Sequence, residues 1–298
     1  MSEIYKSELS DLTTDLLKGA IDVHVHVKPA PAMDRRLDCI EMAKQAREAG
    51  MKGFVLKDMH MLSTDKAYFV NKFVPGIKAW SGVVLDAQVG GLNPAAVESA
   101  IKLGASVVWM PVKFSRYFVE KCMKLTWGKR ILTQRKERPI SILEGGKLLP
   151  EAKEILQMIS ESKIVLGTGH ISPEESFVLV DEAKALGINK IFSNHPYSAT
   201  MGYTIEEMKE LAKKGVYIEF CYATCMPLYG AFDPKTMVSL IKELGVEHCL
   251  MSSDSSQPEN PMPVEMLRLF IRTMLALGMD KRKIELMVKK NPSQLLEA

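Results

Sequence analysis

Short apolar runs alternate with helix-like segments along almost the whole chain, and this alternation limits its fold more than any other feature. The runs lie at 20–26, 53–57 (GFVLK), 81–86 (SGVVLD), 105–111 (ASVVWMP), 163–168 (KIVLGT), 189–193 (NKIFS), 215–220 (GVYIEF) and 247–252 (EHCLMS). The segments between them have readable starts. Asn93 precedes Pro94, a proline at a first helical position, where an N–H would have no intrahelical partner anyway. Ser172 with Glu175, and Thr204 with Glu207, have the spacing of capping boxes, in which each side chain bonds the other residue's backbone N–H. Gly50, Gly104, Gly187, Gly215 and Gly245 close helices, where a left-handed residue is wanted. Helix, glycine and then a β-branched run is the second half of a βα unit. Eight such units in 298 residues match an α/β (β/α)8 TIM barrel of about 250 residues. A doubly wound sheet fits less well, because no glycine-rich phosphate fingerprint follows any strand. A single barrel domain over 1–298 is expected.

One interval breaks the rhythm. Residues 112–150 read as an insertion between the fourth and fifth strands, followed by a regular helix at 150–162. Its segment 121–138 is strongly basic with few acids. That pattern suits a solvated loop or subunit contact, or a lid that draws an anionic substrate over the barrel. Downstream, Gly145-Gly146 between two short β-like runs predicts a hairpin. The basic stretch has no aromatic interleaving beyond Trp127, so nucleic acid is not expected as a partner. A net charge of +3 gives no argument for a membrane surface either. The opening MSEIYKSELSDLTTDLLKG lacks the apolar core of a signal peptide, and a cytoplasmic location is expected. Cys39, Cys122, Cys221, Cys225 and Cys249 include no CxxC pair and read as reduced thiols in structural roles. Cys221 and Cys225 lack the second pair that a metal knuckle needs. The expected partners are a small-molecule substrate and further copies of the chain, as a homo-oligomer.

The stretch IDVHVHV at 21–27 puts two imidazoles into an apolar strand. Side chains two apart share a face, so Ile21, Val23, Val25 and Val27 line one side and Asp22, His24 and His26 the other. Such a strand is either half exposed or turned toward a site. In barrels the chemistry gathers at the C-terminal ends of the strands. His60 lies just past the second strand, His170 follows the fifth, His195 the sixth and Asp254 the eighth; only His248 falls at the opposite end. Neutral imidazoles and a carboxylate suit a divalent metal, Zn²⁺ first, with Mn and Fe as neighbours. A bound metal lowers the pKa of a water from about 15.7 to about 7. A nearby carboxylate can then carry the proton to the leaving group, and Asp254 is the candidate. Asp22, one layer deeper, is expected to support the site rather than to ligate.

The ordered set, HxH after strand one, histidines after strands five and six, and an aspartate after strand eight, resembles the amidohydrolase superfamily. The resemblance covers most of the chain, including the lead-in GAIDVHVHV and the ending NPSQLLEA. It implies that His24, His26 and His170 bind metal and that Asp254 is both ligand and proton shuttle. It implies that His195 either binds a second metal or holds the water and the substrate carbonyl. The implied activity is metal-dependent hydrolysis of a small molecule, first an amide or cyclic-amide C–N bond. Lactone or phosphoester hydrolysis, decarboxylation, and a non-catalytic metal- or ligand-binding barrel are the alternatives. The departure is at strand four, where two-metal members carry a carboxylated Lys or a Glu. Here VVWMPVK places Trp109 and Met110 at that point, with Lys113 slightly late and Glu144 out in the insertion. Lys57, at the end of strand two, is a candidate bridge or a substrate-binding residue. One ion is therefore expected rather than two. His60, Arg35, Arg36, Glu219 and Tyr222 are further substrate-binding candidates, Glu219 because a carboxylate inside VYIEF should face something polar.

Overall fold

A computed structural model describes residues 3–31, 33–124 and 139–297. Residues 125–138, most of the basic segment read as a lid or contact loop, lie outside the described residues. The strands are β1 (Ile21–Val25), β2 (Gly53–Leu56), β3 (Lys78–Trp80), β4 (Gly82–Val84), β5 (Val107–Trp109), β6 (Leu143–Glu144), β7 (Lys147–Leu148), β8 (Val165–Gly167), β9 (Ile191–Ser193), β10 (Tyr217–Cys221) and β11 (Cys249–Ser252). β1 pairs with β2 and β2 with β3, all parallel. A second parallel series runs β4–β5–β8–β9–β10, with β11 as the other neighbour of β10. Neighbours in the sheet are thus neighbours in the chain, and each crossover carries a helix, which is (β/α)8 connectivity. The third expected strand is found as two pieces on either side of Ser81, β3 pairing back to β2 and β4 forward to β5. β6 and β7 form the antiparallel hairpin expected around Gly145 and Gly146.

The chain packs as two compact units. The first comprises Met1–Leu56, Asp65–Trp80 and Phe220–Ala298. Within it the first and last strands meet. Val25 bridges Ser255 in parallel, the Asp254 amide donates to the His24 carbonyl (3.0 Å), and the His26 amide donates to Ser255 (3.4 Å). The second unit comprises Lys57–Thr64 and Ser81–Glu219 and contains the insertion. The insertion is tied down at both described ends. Ser115 Oγ donates to the His170 carbonyl (2.6 Å), while Ser141 Oγ (2.6 Å) and the Ile142 amide (3.0 Å) donate to the Glu175 carboxylate.

The helices follow the local signals. Asn93 caps Pro94–Lys102, and both expected capping boxes form, on Pro173–Ala185 and Ile205–Lys213. A third box, Asp38 with Glu41, starts the helix Cys39–Glu48. The helix Pro150–Ser162 buries Ala152, Ile155, Leu156 and Ile159, one face at helical spacing. Each fully buried Ile or Leu there contributes about 1.5–3 kcal/mol. No described helix is long and apolar enough to cross a membrane.

β1 is buried on both faces, and His26, just beyond it, is buried as well, so the two histidines are not on a half-exposed strand. At strand four, Trp109 is fully buried, edge-on to Phe192 at 6.3 Å between ring centroids. It fits because β8 ends in glycine. A Cβ on Gly167 would stand 2.3 Å from Trp109 Cδ1. Gly167→Ala is therefore expected to destabilise the chain by about 1–3 kcal/mol through overpacking. Urea unfolding should show a lower midpoint at unchanged slope; an unchanged midpoint would mean that the ring is free to move aside.

Candidate metal centre

In the first unit, two imidazoles converge on one carboxylate oxygen. Asp254 Oδ1 lies 3.0 Å from His26 Nε2 and 3.4 Å from His24 Nε2. The two rings stand edge to face at 5.0 Å. His24 and His26 share a face of the first strand, and the backbone bond from Asp254 to His24 brings the carboxylate alongside them. Asp254 sits at φ 47°, a left-handed conformation that costs a non-glycine residue on the order of 1–3 kcal/mol. Its surroundings hold it there: Gln257 Nε2 donates to the Asp254 carbonyl (2.9 Å) and to the Tyr229 hydroxyl (3.0 Å).

Asp22 supports this arrangement from beneath. Its Oδ1 accepts from the amides of His24 (3.2 Å) and Ser253 (3.1 Å), tying the first strand to the residue before Asp254. Burial pushes its carboxyl up to about 7, against the opposing pull of its bonds to Ser253 and His24. His26 moves the other way. Burial first, and then the Arg35 charge, lower it to about 3, while Asp254 pulls it up. A neutral imidazole is the form that ligates metal. Arg35 is half-buried and its charge also acts on Tyr229. Arg36, by contrast, is exposed, and its Nη1 donates to the Asn260 carbonyl (2.9 Å).

Cys221, at the end of β10, joins the same neighbourhood. His24, Cys221 and Asp254 each offer a donor atom, and these lie within 4.8 Å of one another. Read from sequence, Cys221 is a structural thiol; the one available signal is its place at the C-terminal end of the seventh barrel strand. Tyr222, the next residue, turns to the helix layer. Its hydroxyl meets Thr273 Oγ1 (2.7 Å) and its ring stacks on Phe270 (4.9 Å).

The second unit pairs the other two histidines. His170 Nε2 and His195 Nε2 are 3.2 Å apart, and both side chains are buried. His195 is strained like Asp254, at φ 30°, and its Nδ1 lies 3.3 Å from Ser198 Oγ. Behind the pair, Asn194 Oδ1 accepts from the Gly169 amide (3.2 Å) and its Nδ2 donates to Glu219 Oε2 (2.8 Å). Glu219, fully buried, does face something polar, but it braces the residues preceding His170 and His195. Lys57 directly follows β2, is buried, and holds its Nζ 5.6 Å from the centroid of the Trp109 ring. Lys113 is buried beside Asp86, whose carboxylate accepts from the amides of Val112, Lys113 and Phe114. His60 lies 3.8 Å from Asp58 Oδ1, and neither of its ring nitrogens is hydrogen-bonded among the described residues.

Solved structures share this fold. The chain aligns with an amidohydrolase from Pseudomonas aeruginosa at 13% identity, over 97% of this chain and 98% of that one, with a TM-score of 0.62. A lactonase from Listeria monocytogenes aligns at 13% identity over 95% of both chains, TM-score 0.58. An organophosphorus hydrolase from Deinococcus radiodurans aligns at 13% identity over 95% of this chain and 93% of that one, TM-score 0.58. The fold is therefore the α/β TIM barrel of amidohydrolase-type proteins, with an insertion between its fourth and fifth strands. The chain belongs to DUF6282, a family of unknown function whose model matches residues 19–219. That span takes in His24, His26, Lys57, His170 and His195 and ends before Cys221 and Asp254. No curated protein matches the chain.

The raised pKa of Asp22 has a measurable consequence. A carboxyl raised from 3.8 to about 7 on folding favours the folded chain fully below about pH 4 and loses that contribution as the pH rises through 7. In metal-free protein, the stability of the parent relative to Asp22→Asn should therefore fall by a few kcal/mol between pH 4 and pH 7. Denaturant titrations across that range measure the difference, and a flat one would show that Asp22 stays ionised.

Proposed function

We propose that the chain is a metal-dependent hydrolase of a small molecule, with an amide or cyclic-amide C–N bond as the first choice of target. A single divalent ion, zinc foremost, would be held by His24, His26, His170 and Asp254. The observation that carries the reading is the convergence of two Nε2 atoms on Asp254 Oδ1. Imidazole nitrogens and a carboxylate fit zinc or its first-row neighbours, and burial together with Arg35 keeps His26 in its ligating form. His170, the remaining proposed donor, is a buried imidazole with its Nε2 3.2 Å from that of His195. Trp109 standing where a bridging carboxylate would be expected supports one ion over two.

When bound, the ion supplies Lewis acidity that makes a water nucleophilic near neutral pH. Asp254, whose side chain is 16% exposed against 2% for His24 and 8% for His26, takes the proton of that water and hands it to the leaving group. His195 orients the water and the substrate carbonyl and stabilises the developing oxyanion; Ser198 on its Nδ1 supports that orientation. His60, Lys57 and Arg35 contact the rest of the substrate. Ester chemistry on a lactone or phosphoester is the second reading, favoured by the lactonase and the organophosphorus hydrolase among the proteins of like fold.

Exhaustive chelation should abolish turnover of a panel of cyclic amides, lactones and phosphoesters, and added Zn²⁺ should restore it. Full activity in protein shown to be metal-free would rule the reading out. Asp254→Asn should still bind metal measurably while losing about 10²–10⁴-fold in turnover. If that variant works at the parent rate, Asp254 is not the shuttle.

A further inference from the structure

The position of Cys221 against His24 distinguishes two roles for a cysteine beside a metal. Within the metal centre proposed above, on which this argument rests, we infer that Cys221 is a positioning residue and not a ligand. Its sulfur accepts the Nδ1–H of His24 and so fixes the tautomer whose Nε2 lone pair faces the metal.

The two nitrogens of one imidazole point in widely different directions, and here each faces a different group. His24 Nε2 is the nitrogen turned to Asp254 Oδ1, at 3.4 Å, and His26 also uses its Nε2 toward that oxygen, at 3.0 Å. The metal side of His24 is therefore Nε2. Cys221 Sγ lies on the other nitrogen, 3.7 Å from Nδ1, an ordinary separation for a hydrogen bond to sulfur. An ion bound through Nε2 stands about 2.1 Å beyond that atom, and a zinc thiolate needs a metal–sulfur distance of about 2.3 Å. A sulfur seated against Nδ1 is on the wrong side of the ring for that.

The hydrogens around the sulfur also have a consistent order. His24 Nδ1–H donates to Cys221 Sγ. The thiol S–H donates to Ser252 Oγ, 3.1 Å away, and the Ser252 hydroxyl donates to the Phe220 carbonyl at 3.5 Å. Each hydrogen is used once, and the sulfur lies within a fully buried pocket. Ligating histidines commonly donate their second ring N–H to a carboxylate, a backbone carbonyl or water, and losing that partner costs about 10–100-fold in metal affinity. Here the acceptor is a sulfur supplied by the neighbouring end of β10, adjacent to β11 in the sheet.

Cobalt(II) reconstitution tests the assignment. The parent protein loaded with one equivalent of Co²⁺ should show ligand-field bands without a thiolate-to-cobalt charge-transfer band in the near ultraviolet. Competition with a chromophoric chelator should show Cys221→Ala weakened for metal by about 10–100-fold, with Cys221→Ser recovering most of the loss because its hydroxyl also accepts. A sulfur charge-transfer band in the parent that vanishes in both variants would overturn the inference, as would a serine variant as weak as the alanine one. The parent spectrum decides even if Cys221→Ala fails to fold. A parent that takes up no Co²⁺ refutes the metal centre itself, and this assignment with it.

Discussion

The junction between the first and last strands is the constraint on which the rest of the site depends. Four contacts make it: the Val25–Ser255 bridge, the Asp254 and His26 backbone bonds, and the Asp22 carboxylate under the Ser253 amide. Together they bring Asp254 against His26 across 228 residues of chain. Without that closure His24 and His26 would be two buried imidazoles lacking a carboxylate partner, and an unsatisfied buried polar group costs about 1–3 kcal/mol. The same junction holds Asp254 in its left-handed conformation, since both its amide and its carbonyl are bonded.

The second unit repeats the device with other residues. An interior carboxylate, Glu219, bonds Asn194, and Asn194 bonds the Gly169 amide, so the residues immediately before His170 and His195 are locked together. In both units a buried acid serves as a structural anchor one step behind the imidazoles, and in both a non-glycine residue beside them carries a positive φ. His195 and Asp254 are two of five described non-glycine residues with positive φ, a strain that persists only where surrounding bonds hold it. At strand four the interior is filled by the Trp109 ring against Gly167, with Lys57 over it. That packing underlies the proposal of a single ion.

Much of this was legible in the sequence, for identifiable reasons. Strand–helix alternation, proline and Asn or Ser/Thr–Glu starts and the Gly145-Gly146 turn depend on residues close together in the chain, and the corresponding elements formed. The histidines stood out because strand periodicity and a common strand end are also local properties. What could not be read depends on contacts distant in sequence. Cys221 gains meaning only from its 3.7 Å approach to His24, and the polar partner that Glu219 meets, Asn194, shows only in the fold. Arg35 and Arg36 are adjacent and alike in type, yet one is half-buried with its charge acting on His26 and the other is exposed. The third strand was placed a few residues late because Lys78–Trp80 pairs with the preceding strand, a register that apolar patterning does not specify.

The most direct test of the metal-centre account is the metal content of the purified protein, by elemental mass spectrometry, for the parent and for a His24→Ala/His26→Ala double variant. The account predicts close to one equivalent of a divalent metal, chiefly zinc, in the parent. It predicts almost none in the variant, with circular dichroism unchanged. A parent that holds no metal and takes up none from zinc-containing buffer would contradict it, as would a folded double variant that keeps a full equivalent.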